Sequence, residues 1–191
     1  MSRWIVSAGL SSLALISGCS LFAPAPDPLP SPVATNPAAL RIAILAPEAL
    51  KLPSSGVTMT VFQQDPAGKT ITSDYNLVAV SDPTEAQGLS AAVKPGQVVH
   101  VLRLRPADAL DLREQQADMA AVRAGGGDVR PGFSVGLDRA CWKGGSAEGA
   151  APVNILIEGD NDSGFHPLVA DIDIAALLAR PAGSGLKSCK S

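Results

Sequence analysis

The stretch Val98-Val99-His100-Val101-Leu102-Arg103-Leu104-Arg105-Pro106 sets the fold class. His100, Leu102 and Leu104 fall on one side, and Arg103 and Arg105 end the other, which is the two-residue period of a strand. Pro106 then changes the regime. Its missing amide proton and fixed φ suit the first turn of a helix. Asp108 and Asp111 follow near the positive end of that helix's dipole. Ala109, Leu112, Gln116, Met119 and Val122 recur at helical spacing until Gly125-Gly126-Gly127 ends the run. The apolar face is modest. It reads as a helix packed on the side or end of a sheet, and a docking helix for a partner is the other reading.

Outward from this junction, strand signals dominate. Leu40-Arg41-Ile42-Ala43-Ile44-Leu45 is a β-branched run stopped by Pro47, and Val57-Thr58-Met59-Thr60-Val61-Phe62 alternates with threonine outward. Asp65-Pro66-Ala67-Gly68 and Pro95-Gly96 mark turns, and Tyr75 to Val80 reads as a third strand. Phe133 to Leu137 and Val153 to Ile157 add two more, while Asp171 to Ala179, with Pro181 beyond, reads as a short final helix. There is no βαβ alternation and no internal repeat. The expected fold is mainly β: an antiparallel two-sheet sandwich-like domain with one inserted helix and a short C-terminal helix. Aromatic residues make up 4% of the chain, so the core must be aliphatic. Phe62, Tyr75, Phe133 and Phe165 are expected in packing, with Trp142 over its neighbour Cys141.

The N-terminal region has a different grammar. Arg3 and the amino terminus carry positive charge, Trp4 to Ile16 is apolar, and Leu15-Ile16-Ser17-Gly18-Cys19 closes the segment. The apolar part is too short to cross a bilayer, and the order of parts is that of a secretory signal. Ile16-Ser17-Gly18-Cys19 resembles the bacterial lipoprotein lipobox. The resemblance implies diacylglyceryl transfer to the Cys19 thiol, cleavage before it and acylation of its new amino group. Ser20 in place of an aspartate implies sorting to the outer membrane, with the domain facing the periplasm. Dense prolines from Pro24 to Pro37 favour extended polyproline II, hence a spacer. The chain therefore divides into 1–18 as signal peptide, 19–38 as lipidated cysteine and tether, and 39–191 as one globular domain.

Removing 18 of 191 residues leaves 173, enough for one core, and takes the formal charge from −3 to −4 because only Arg3 is lost. No basic block remains, which argues against nucleic acid as a partner. With Cys19 assigned to lipid, Cys141 and Cys189 form an even pair in an oxidising compartment and are expected to be bridged. Two cysteines and two histidines at unrelated spacings make no metal set, and no cofactor is expected.

Two constellations invite a catalytic or calcium reading. Gly132-Phe133-Ser134-Val135-Gly136 fits G-x-S-x-G, and Asp160 or Asp162 and then His166 follow in hydrolase order. That chemistry needs a strand before the serine and a helix after it, and neither flank supplies them. Gly159-Asp160-Asn161-Asp162-Ser163-Gly164 looks like a calcium loop, but the required glycine and glutamate positions hold Phe165 and Asp171. Turn chemistry accounts for it, with weak calcium binding helped by Asp171 and Asp173 as the alternative. His100 reads as a core histidine, and Glu85, Glu114 and Asp118 as solvated charges.

Lipid anchor, spacer and one domain together resemble the layout of secretion-system accessory lipoproteins, such as the small β-sandwich lipoprotein of type VI secretion. The resemblance is architectural. It implies a non-enzymatic module that binds the bilayer through acylated Cys19 and docks an envelope protein through sandwich loops and the helix. An envelope serine hydrolase using Ser134 and His166, and a carrier of a lipid or small apolar ligand, are the alternatives.

Overall fold

The computed structural model describes residues 30–54, 56–65, 68–137, 139–143, 152–160, 164–173 and 187–189. The lipobox with Cys19, and Asp162, lie outside them. The elements are β1 (Arg41–Pro47), β2 (Leu50–Lys51), β3 (Thr58–Gln64), β4 (Thr70–Asn76), β5 (Val78–Ala79), β6 (Gln97–Arg103), α1 (Pro106–Ala124), β7 (Arg130–Gly136), β8 (Cys141–Trp142), β9 (Pro152–Glu158), β10 (His166–Asp173) and β11 (Lys187–Ser188). A five-stranded sheet runs β10-β9-β1-β6-β5, a three-stranded sheet β4-β3-β7, and a small third sheet β11-β8-β2. Pairing is antiparallel throughout these strands except between β11 and β8. The mainly β, sandwich-like class is the one the alternation implies.

β1 is central. Ile42 faces Leu102 on β6 and Ile157 on β9, and Ile44 faces His100 and Ile155. Ile42 and Ile44 join Met59, Val61, Tyr75 and Leu112 in the main core between the sheets. The alternate residues Ala43 and Leu45 turn the other way, into a second cluster with Val101, Leu156 and Leu89. The chain between β5 and β6, which winds through 3-10 turns at Pro83–Ala86 and Ser90–Ala92, contributes Ala86, Leu89 and Val93 to that cluster. Burial on both faces is why Leu40 to Ala46 is apolar almost without interruption. Val99 and Val101 likewise serve the second cluster, so β6 is apolar on both sides rather than one.

The third strand differs from its expected span. In place of one strand from Tyr75 to Val80, β4 runs from Thr70 to Asn76 and β5 is Val78–Ala79. The hinge is Leu77, which is buried. Its amide donates to Val57 O at 3.0 Å, and that of Val80 to Val101 O at 2.9 Å, so the chain leaves one sheet here and joins the other. The helix begins at Pro106 as expected and ends in Gly125. Ala109, Leu112 and Met119 are buried, but Val122 is 48% exposed because the last turns run past the core.

The short C-terminal helix is corrected at its start: Asp171–Asp173 close β10, and the remainder of 171–179 lies outside the described residues. Asp171 sits at φ 49° beside a register shift in β10, with its amide held by Asn154 Oδ1 at 2.7 Å. Aspartate is one of the residues that tolerate this left-handed region. Its carboxylate accepts from Lys94 Nζ at 2.8 Å.

Cys141 and Cys189 are bridged, as their parity implies. β11 lies beside β8, and the Cys189 amide donates to Trp142 O at 3.0 Å. Trp142 packs against the main core. A link across 48 residues lowers the entropy of the unfolded chain by an amount worth about 4 kcal/mol.

The last part of the proline-rich segment is folded onto the domain. Ala34 and Thr35 amides both donate to Ser31 O at 2.8 Å, forming a turn. Pro30, Pro32, Thr35 and Pro37 are buried. Gln116 Nε2 on α1 donates to Pro32 O and Thr35 O, both at 2.8 Å. Gly159 lies under this turn so closely that a Cβ there would come within 3.0 Å of Pro30 and Thr35. Removing the amide leaves two carbonyls at a part-buried site without their donor, so Gln116→Ala should cost about 1–3 kcal/mol. Urea unfolding measures that loss, and limited proteolysis should show new cleavage between residues 30 and 38.

Candidate functional site

At the start of α1 the chain turns sharply from sheet to helix. Leu104 is buried, whereas Arg103 and Arg105 on either side of it are exposed, continuing the strand's alternation. Arg105 holds extended backbone at the helix entrance and pairs with Asp108, Nε to Oδ2 at 2.7 Å. Arg113, nearly two turns on, donates to Asn36 Oδ1 at 2.6 Å. The Asn36 amide in turn donates to Asp160 Oδ2 at 3.2 Å. The folded segment, the helix and the strand end thus enclose a cleft of about 440 Å³ lined by Ala38, Arg103, Leu104, Pro106, Ala109, Leu110 and Arg113. Leu110 is 63% exposed at its rim.

The charges around it are unevenly neutralised. Arg41 is clamped by Glu85, Nε to Oε2 at 2.6 Å and Nη2 to Oε1 at 3.3 Å. The guanidinium holds the Glu85 carboxyl below the usual carboxylate range against the opposing effect of its burial. Glu85 is therefore engaged by Arg41, which corrects its reading as a solvated charge. Arg103 adds a longer-range pull on Glu85. Among the described residues, no carboxylate lies within ion-pair distance of Arg103. An apolar floor flanked by Arg103 and Arg113 suits a segment carrying an acidic group beside an apolar one.

The helix is locked to the sandwich behind this cleft by Tyr75. Its hydroxyl lies 2.9 Å from Asp111 Oδ2 and 3.1 Å from Gln115 Oε1. Burial first, and then the hydrogen bond to the Asp111 carboxylate, push the phenol up to about 12. His100, on the core side of β6, has an Nε2 buried without a partner among the described residues. Loss of solvent, and then Lys51, hold its pKa below the usual histidine value.

Ser134 and His166 are carried by different sheets. Ser134 lies within β7, exposed and opposite Thr60, whose hydroxyl donates to Asp74 Oδ1 at 2.6 Å. His166 opens β10 opposite Ile157. Phe133 and Val135 pack on the core, so Ser134 faces outward as its neighbours dictate. The motif's Gly132 has a packing role, since the Phe62 ring occupies the place of a Cβ. Asp160 binds the folded segment, and 161–163 of the acidic loop lie outside the described residues. Among the described residues no three histidine, cysteine, aspartate or glutamate side chains gather to hold a metal. Nor, among them, is any helix long and apolar enough to cross a membrane. Leu110 and Arg113 did not stand out in the sequence. The available signal was that Leu110 falls off the stripe of Ala109, Leu112, Gln116 and Met119, which leaves a leucine facing water.

Fold and cleft together define a disulfide-closed, sandwich-like β domain with a cationic-apolar groove at α1. No protein-family model, curated protein or solved structure matches the chain.

Tyr75 is the only tyrosine of the chain, so an ultraviolet titration reads it alone. A phenol whose folded pKa exceeds the ordinary 10 stabilises the fold fully below pH 10. That contribution is lost as pH rises from 10 towards 12. Asp111→Asn should lower the titration midpoint, and Tyr75→Phe should flatten the stability profile over that interval.

Proposed function

We propose that the chain is a lipid-anchored envelope module that docks a partner protein and performs no catalysis. The observation that carries this reading is the groove at the start of α1. Leu110 is an exposed leucine beside the buried Leu104 and Ala109, with Arg103 and Arg113 on either side. Burying a leucine of that exposure contributes about 1.5–3 kcal/mol, and the two guanidinium groups add orientation and selectivity for an acidic segment. The lipobox at Ile16-Ser17-Gly18-Cys19 supplies the anchor in this reading, with the bilayer as the second partner and the outer membrane as the site.

The test is affinity purification of the tagged full chain from crosslinked membranes. A reproducible stoichiometric partner is expected with the wild type. Leu110→Asp and Arg103→Glu should each reduce its recovery at least tenfold, while a control change at an exposed residue of β7, Arg130→Ala, leaves recovery intact. Cys19→Ala should abolish incorporation of radiolabelled palmitate and release the protein from the membrane fraction. Equal recovery with the groove variants would move the docking surface elsewhere, and full membrane retention of Cys19→Ala would remove the lipid anchor from the reading.

A further inference from the structure

The long edge strands differ in how they are protected. β10 carries Pro167 and two register shifts, and β7 carries Pro131. β4 has neither device. Its seven residues, Thr70-Ile71-Thr72-Ser73-Asp74-Tyr75-Asn76, pair with β3 without a break from Thr70↔Gln64 to Asn76↔Thr58. They contain no proline and no lysine, and five of the seven are exposed. Natural sheets blunt such edges, because their unpaired amides and carbonyls are a template for another strand.

Among the described residues, the ladder fixes which groups are left without a partner strand. Leu77 N donates to Val57 O, which continues the β3–β4 register. Tyr75, Ser73 and Ile71 therefore direct their backbone groups towards β3, since inward and outward bonding alternate along an antiparallel strand. Thr70, Thr72, Asp74 and Asn76 point theirs outward.

We propose that this edge pairs with β4 of a second copy of the chain, antiparallel and centred on Ser73. In that register Thr70 faces Asn76 of the copy and Thr72 faces Asp74, so all four outward-pointing residues on each side find partners. Sliding by one pairing in either direction leaves Thr70 or Asn76 outside the strand overlap, and in one direction it sets Asp74 against Asp74. The strand's one charge thus falls opposite a threonine, the same acid–hydroxyl pairing that Asp74 already makes with Thr60. The register also accounts for Ile71. It shares the core-facing side of β4 with Tyr75 yet is 49% exposed. In the dimer it lies opposite Tyr75 of the copy, where a β-branched and an aromatic residue stabilise each other. The contact is isologous, closes on itself and makes one six-stranded sheet from the two three-stranded ones.

The test uses the full chain carrying Cys19→Ser, so that no native thiol is free. Ser73→Cys places two thiols at the symmetry axis, at a non-hydrogen-bonded pair about 4.5 Å apart between Cα atoms, within disulfide reach. Mild oxidation should convert it to a covalent dimer, whereas Thr72→Cys, whose partner is Asp74, should stay largely monomeric. Without added cysteines, sedimentation should show a concentration-dependent dimer. Thr72→Pro removes an outward amide on each copy and leaves the β3 ladder intact, so it should weaken the dimer at least about tenfold with an unchanged circular dichroism spectrum. A monomer at every concentration, with no crosslinking of Ser73→Cys, would overturn the proposal. So would a dimer indifferent to Thr72→Pro. If the edge instead takes a foreign strand, the purified chain stays monomeric and Thr72→Pro loses only that partner, which also overturns the second copy as occupant.

Discussion

The two-sided burial of β1 is the constraint on which the rest depends. A strand with both faces apolar must be covered twice. Ile42 and Ile44 are covered by the facing sheet and α1, and Ala43 and Leu45 by the cluster around Leu89. The pattern of small and large residues follows from this. Alanine at 43 suits the side covered by a loop, while isoleucine fills the deeper space between sheets. The chain between Val80 and Val93 consequently contributes Leu89, with Ala86 and Val93 beside it, to the core, although its otherwise polar composition gives no hint of it. Arg41 at the edge of β1 meets Glu85 from that same covering segment, so the ion pair and the apolar cluster hold it together. A part-buried, two-point arginine–carboxylate contact is the kind that holds geometry, in contrast to the exposed Lys94–Asp171 pair, which contributes little.

Periodicity made the strands readable wherever one face was buried and the other wet. Val57 to Phe62 and Phe133 to Leu137 fell into place on alternation alone, and the helix on its proline start and glycine stop. β4 was half missed because its core layer is thin. Only Tyr75 is buried, and Thr70 to Asp74 carry no apolar alternation to betray a strand. β10 was missed for a related reason: Pro167, a bulge and an aspartate in left-handed backbone interrupt the pattern that names a strand. The two-residue strands β2, β8 and β11 are too short for any period, and only the cysteine parity pointed to the place where they meet.

The groove was legible only in fragments. Arg103 stood out as the polar end of a strand, but Arg113 and Ala38 reach the same cleft through tertiary folding, which spacing does not encode. Ser134 shows the reverse case. A five-residue pattern matched a nucleophile motif, and its first glycine is there for the Phe62 ring. Local sequence constrains a backbone shape, while chemistry requires groups brought together from distant positions.

The turn at Pro30 to Ala38 sets how far the domain can travel. Counted from composition, a spacer from Cys19 to Ala39 has 20 residues. Because Gln116 holds the chain from Pro32 onward and Pro30 is already buried, a lipid anchor at Cys19 would be separated from the folded domain by 11 Cα–Cα steps at most. At no more than about 3.6 Å per residue the contour of those steps cannot exceed about 40 Å. With Cys19 held in a lipid leaflet, the domain would sample a layer little deeper than its own diameter. A partner would then be met at the membrane surface, and lengthening the chain before Pro30 would change encounter frequency without altering the binding surface.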